Sequence, residues 1–315
     1  MGAFKLLSCA LAVITLTSAA PLTLSHFKRS ITNDTSSVSD QHFDYIIAGG
    51  GLTGLSVASR LSEDTDVTVL VIESGYDQQN DPRVYDVRTY GEAFETELDH
   101  AFKSTPISWR DGKQLSMVAG KMLGGSGSLN GASWTKGPKT QYDLLPLLTG
   151  DESWSFENFN EYMLRAEHFN TPDPDAPAIA KGAHYLSEYH GTSGPVEVSF
   201  ADGMFGTVQL EAIEASQKVW PGLKVNADAA SGIVNGVTTI PNQLNPDVEQ
   251  NRSSAHTAYI LSKDAVKRPN LTILTGQRVT KLLWDRKSGD LKASGVSFQH
   301  DENSKPISVI TANRL

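Results

Sequence analysis

The sequence, 315 residues long, predicts a mixed α/β fold organised around a parallel sheet. Three observations carry that prediction. The apolar run Phe43-Asp44-Tyr45-Ile46-Ile47 leads into Ala48-Gly49-Gly50-Gly51-Leu52-Thr53-Gly54, and an amphipathic stretch follows to about Leu61. Gly49, Gly51 and Gly54 fill the three glycine positions of G-x-G-x-x-G. A second apolar run from Val67 to Ile72 then ends in Glu73, about twenty residues beyond the third glycine, where a ribose-binding carboxylate belongs in a βαβ unit. The reading is therefore Rossmann-like. The first glycine allows a sharp turn, the second allows backbone to approach a pyrophosphate, and the third lets helix and strand pack closely. A helix starting at Leu52 would direct free N–H groups and its positive dipole end at phosphates, with Leu52 and Thr53 offering the first of them. The glycines leave NAD and FAD equally open, and a structural βαβ turn with no ligand is the remaining alternative.

Composition sets the outer limits. Apolar residues make up 39% and charged residues 20% of the chain, values of a folded globular protein rather than a disordered one. A net charge of −9 argues against nucleic acid or an anionic membrane as partner, because their phosphates would repel this surface. Residues 1–20 read as a signal peptide: Lys5, the short apolar run Leu6 to Leu16, then the small residues Thr17-Ser18-Ala19-Ala20. A buried N-terminal helix is the alternative for that stretch. Residues 21–41 read as a polar leader containing Lys28-Arg29, either a processing site that would leave Ser30 first or a chance pair of solvated charges. The only cysteine, Cys9, lies in the signal, so no disulfide is expected in the remainder despite export. Sequons at Asn33, Asn251 and Asn270 permit N-glycosylation in a secretory route.

Beyond Glu73 the chain from Ser74 to about Gly112 reads as loops and short helices. Helices are expected over 154–169, 204–220 and 253–267, the last with a serine cap candidate and basic residues before Pro269. Four short strands are expected over 271–274, 279–284, 293–298 and 307–311, with a turn at 287–290. A second glycine-rich segment runs from Ala119 to Trp134. Its glycines and small hydroxyl residues suit backbone pressed against a flat or anionic ligand, and equally a flexible loop.

Within that segment Gly120, Lys121, Leu123, Gly124, Gly125, Ser126, Gly127, Leu129, Asn130, Trp134, Gly137 and Asp143 stand at the spacing of a known signature. The chain here resembles the glucose–methanol–choline (GMC) flavoprotein oxidoreductases, and with 43–55 it looks most like their fungal glucose oxidase and glucose dehydrogenase branch. The likeness continues through Asp99-His100-Ala101, Arg252-Ser253-Ser254-Ala255 and Leu274-Thr275-Gly276-Gln277-Arg278-Val279.

The resemblance implies a partial Rossmann-like FAD-binding domain over 42–315, with inserted helices and strands and the start of a substrate domain. It implies Glu73 on the ribose hydroxyls, Val279 against the adenine by backbone groups, and Gly124, Gly125, Ser126, Asn130, Gly131 and Ser133 around the flavin and its phosphates. Ser133 keeps the hydroxyl of the threonine common there. His100 matches a cofactor-adjacent histidine, though a lone histidine is as often a packing residue. The implied activity is oxidation of an alcohol or sugar CH–OH group by hydride transfer to non-covalently held FAD, with oxygen or a quinone-type acceptor. The family's histidine base lies in a C-terminal half expected beyond Leu315, and none of His26, His42, His168, His184, His190, His256 and His300 matches it. No catalytic residue is therefore assigned. A truncated, inactive flavin-binding protein and an NAD-dependent enzyme are the other two readings, and oligomeric state is left open.

Overall fold

The computed structural model describes residues 30–39, 41–180, 182–201, 208–285, 291–300 and 303–311. The expected signal peptide, the Lys28-Arg29 pair and the turn at 287–290 lie outside the described residues. The elements that position the site are, in chain order, β1 (Ile31–Thr32), β2 (His42–Phe43), β3 (Tyr45–Ala48), α1 (Leu52–Leu61), β4 (Val69–Ile72), α2 (Lys139–Thr149), α3 (Phe156–Ala166), α4 (Val208–Val219), β5 (Leu271–Leu274), β6 (Arg278–Asp285), β7 (Lys292–Gln299) and β8 (Ile307–Thr311).

Four parallel strands make the main sheet in the order β1-β5-β4-β3. The register sets Tyr45 against Val69 and Ala48 against Ile72, so the glycine turn leaves β3 level with Glu73 at the end of β4. Alternate residues of β4 serve opposite faces. Val69 and Val71 pack with Leu55 and Ala58 of α1 and with Leu271, Ile273 and Ile260, whereas Leu70 and Ile72 pack with Val38, Phe43, Leu274, Val296 and Phe298. Both faces being covered explains why β4 reads as an unbroken apolar run rather than an alternating one. A second sheet, β6-β7-β8-β2, is antiparallel except where β8 runs parallel to β2. It closes over the face that Leu70 and Ile72 present.

Residues 30–39 belong to the folded body rather than to a polar leader. Ser30 and Thr32 carbonyls accept the N–H groups of Ile273 and Thr275, and Val38 is completely buried beside Leu70. A two-residue strand flanked by Ser, Thr and Asp carries too little apolar pattern to be read in advance. The stretch at 253–267 is not a regular helix: a π-helical segment over His256–Leu261 ends before Asp264, whose φ of 52° breaks the winding, and a short 3₁₀ turn follows. The expected helix over 154–169 shortens to α3 and continues as an extended segment, Glu167–Phe169, paired with Val196–Val198. Of the helix expected over 204–220, 208–219 forms α4. All four C-terminal strands form.

α2 has no counterpart in the sequence reading. It holds Pro146 within the helix, is closed by Gly150 at φ 74°, and leaves Leu144, Leu147 and Leu148 exposed. β3 is an edge strand, its far side unpaired among the described residues, with Tyr45 exposed.

Away from the main sheet, a buried ionic cluster ties three loops together. His190 is stacked on Phe169, and its ring contacts Glu167 Oε1 through Nδ1 at 2.8 Å and Asp228 Oδ2 through Nε2 at 2.9 Å. Lys136 Nζ donates to Asn160 Oδ1 and to the carbonyl of Tyr189. Burial alone would lower the His190 pKa, but the hydrogen bonds to Asp228 and Glu167 outweigh it and raise it to about 9 from an ordinary 6.5. A folded-state pKa raised above the unfolded one gives stability that is complete below pH 6.5 and lost as pH rises through about 9. The predicted melting temperature therefore declines across that window, by a loss on the order of 3 kcal/mol. Substitution of His190 by Asn should flatten the decline, and thermal melts of both proteins from pH 6 to 10 check it.

Candidate functional site

The site is built where the two glycine-rich segments meet. Gly49, at φ 101°, turns the chain out of β3. Gly51 stands at the N-terminus of α1 with extended backbone and no side-chain cap, so the first N–H groups of that helix are left for an outside acceptor. A Cβ at Gly54 would lie 2.0 Å from the Gly49 carbonyl oxygen, which is why helix and strand approach so closely here. The second segment lies directly against the first. Gly124 N–H donates to the Gly50 carbonyl at 2.9 Å, and a Cβ at Gly125 would fall 2.8 Å from Gly51 Cα. Gly124 and Gly125 both have positive φ, 89° and 55°.

Together they border a groove of about 630 Å³, lined among others by Gly49, Gly51, Leu52, Thr53, Gly54, Glu73, His100, Gly125, Ser126 and Asn130. A second cavity of about 480 Å³ shares Ser74 and His100 with it and adds Lys121, Arg278, Val279 and His300. Glu73, buried, anchors the floor. Its Oε2 accepts from Gly50 N–H at 2.7 Å, and its Oε1 accepts from Gly75 N–H and the Ser74 hydroxyl. His100 lies stacked on Phe102, with Nε2 3.3 Å from Ser74 Oγ. Burial lowers its pKa, and nearby Lys121 and Arg278 add to that against the pull of Glu73 and Asp99. It faces the groove as a neutral ring at neutral pH. The adjoining cations Lys121 and Arg278 give this end a field that favours a polyanion.

Most of the residues expected at the site converge, and four do not line the groove. Gly124 lies buried beneath it, its missing Cβ leaving room for Ser128 Oγ and Ser254. Gly131 and Ser133 are exposed further along; Gly131 faces Tyr90, and Ser133 bridges to Asn242. Val279 lies in the adjoining cavity. Several supporting residues carry no local signal. A Cβ at Gly75 would collide with the Lys121 carbonyl at 1.9 Å. Burial would raise the pKa of Asp99, but hydrogen bonds from the N–H groups of Glu95, Ala101 and Ala119 hold it below the ordinary value. Those contacts fix the turn that carries His100.

A family model described as GMC oxidoreductase matches residues 43–314. The chain belongs to the GMC oxidoreductase family. It is 38% identical over 290 residues to a glucose oxidase of Aspergillus carbonarius, covering 91% of this chain and 47% of that protein. It is 37% identical to a glucose oxidase of Penicillium chrysogenum, over 91% of this chain and 46% of that one. Among solved structures, an FAD-dependent oxidoreductase from Chaetomium thermophilum superposes with a TM-score of 0.74 at 28% identity, over 86% of this chain and 44% of the other. The chain thus spans about half the length of the relatives it matches. The family cofactor is FAD, and the groove fits it. A Cβ at Gly51 would meet protein only at Gly125 Cα, 3.9 Å away, so the space left by the absent side chain opens onto the groove.

The two glycines of the turn are predicted to separate binding from folding. Gly51→Val should keep a melting temperature near that of the parent while FAD binding, followed by flavin fluorescence quenching, is lost. Gly54→Ala drives a methyl into the Gly49 carbonyl and should lose both.

Proposed function

We propose that this chain is the FAD-binding portion of a secreted oxidoreductase that acts on the CH–OH group of an alcohol or sugar. The observation that carries the reading is the groove itself, where a helix N-terminus, a buried acidic floor and a second glycine-rich wall converge. Bound FAD supplies a hydride acceptor, with oxygen or a quinone-type compound as the final oxidant. The chain's own residues bind and orient it. The N–H groups at Leu52 and Thr53 take the pyrophosphate, Glu73 takes ribose hydroxyls, Val279 takes the adenine end, and Ser126, Asn130, Gly131 and Ser133 lie towards the flavin. Glucose oxidase relatives support a sugar-type donor.

Export rests on the signal-like residues 1–20 and on the sequons. The three sequons differ in the structure. Asn33 is exposed and open to a glycan, and Asn251 is half-buried. Asn270 Nδ2 is already committed to the carbonyls of Ser62, Asp64 and Val67, so it is a structural amide and a poor acceptor.

A second reading, flavin binding without turnover, is supported by one observation. Among the described residues that line the groove, His100 is the sole histidine, and it lies at the Glu73 end. Two outcomes are expected of the 315-residue chain. It takes up FAD and releases all of it on acid precipitation, because Leu129 offers no nucleophile and is buried among Val84, Leu98 and Met122. It does not turn over glucose or an aryl alcohol with oxygen or a quinone, since a general base typically contributes about 10²–10⁴ in rate. Flavin retained on a peptide would refute the first outcome. Robust turnover would refute the second.

A further inference from the structure

Arg252 is a buried cation with no acid beside it. The side chain is 4% exposed, and among the described residues it makes no ion pair. Burial pulls its pKa down to about 10, which still leaves it charged at neutral pH. An uncompensated buried guanidinium is costly, so its hydrogen bonds show what holds it. Nε donates to the Val84 carbonyl at 2.9 Å, and Nη1 donates to Asn130 Oδ1 at 2.7 Å. The same oxygen also accepts from Gln243 Nε2 at 3.1 Å and from the Ala132 N–H at 3.0 Å. Gln243, itself buried, is held by the Gly127 carbonyl.

Three donors converging on one oxygen leave no ambiguity about which way the Asn130 amide faces. Its oxygen is taken up by protein donors, and its NH₂ group, with no acceptor among the described residues, is left for the groove that Asn130 lines. The charged donor also polarises the amide, which strengthens its N–H groups as donors to whatever the groove holds.

We propose that Arg252 is a positioning residue for the flavin: acting through Asn130, it fixes an N–H donor on the groove wall and places a permanent positive charge behind it. The proposal rests on the FAD reading given above. Two-electron reduction of flavin with uptake of one proton adds one negative charge to the ring system. A fixed cation behind the wall favours that state and raises the reduction potential. Gln243 shares the orienting task but brings no charge.

The test uses the 315-residue chain with FAD as probe, reading the dissociation constant by fluorescence quenching, the midpoint potential of the bound flavin, and the melting temperature of the apoprotein. Arg252→Met removes donor and charge; about a tenfold weaker FAD affinity and a lower potential are expected. Arg252→Lys keeps the charge and should hold the potential near the parent value. Arg252→Gln keeps N–H donors without the charge, so affinity should stay within about threefold while the potential falls. If Arg252→Met has no cooperative melt, the lysine and glutamine variants decide the matter. Equal potentials in those two would overturn the proposal, as would parental affinity and potential in a folded Arg252→Met protein. A parent chain that binds no FAD would overturn the proposed function and this proposal together, whereas tight binding indifferent to residue 252 overturns this proposal alone.

Discussion

The structure depends on two backbones touching. Gly51 and Gly125 approach so closely that a single methyl on the second would fall within 2.8 Å of the Cα of the first, and the Gly124 N–H bonds to the carbonyl of Gly50. Everything that makes the groove follows from this contact. It brings the wall formed by 120–130 up to the end of β3, where Glu73 binds the N–H groups of Gly50 and Gly75. Ser254, Arg252 and Gln243 then support the wall from behind. A side chain at Gly125 would force the two segments apart, and the groove would lose one side.

How much of this could be read in advance follows from the range of the interactions involved. β4 was legible because a strand buried on both faces must be apolar at every position, and β5 because three of its four residues are apolar and buried. The glycine turn was legible because its three special positions lie within a few residues of one another. α2 was not, since Pro146 interrupts it and three of its leucines face outward, so no apolar stripe marks a helix. The segment 253–267 has a helix-like composition, yet its winding is set by how Ala258 and Ile260 pack against two different clusters.

The same distinction holds at the site. Gly49, Gly51, Gly54, Glu73, Ser126 and Asn130 occupy motif positions, and the structure brings them to one groove. Arg252 and Gln243 stand more than a hundred residues from the amide they orient; Arg252 falls in a stretch of family likeness that gives it no role, and nothing local marks Gln243 as more than a polar residue. Gly131 and Ser133 show the converse: motif positions that the resemblance assigned to the flavin lie outside the described lining of the groove. Residues 30–39 were hidden for another reason, because an edge strand of two residues gains its identity from β5 rather than from its own pattern.

Asn270 carries a consequence for how the protein is made. Its amide closes the loop after α1 by bonding three carbonyls at once, at Ser62, Asp64 and Val67. The same amide, in the sequon Asn270-Leu271-Thr272, would be an acceptor for the sugar-transfer machinery if the unfolded chain entered a glycosylating route. The two fates exclude each other. A nascent chain that receives an oligosaccharide there can no longer seat β5 beside β4, whereas one that folds first hides the nitrogen from the transferase. In a glycosylating host, yield becomes a race between folding and transfer, decided by a side chain that never meets the cofactor.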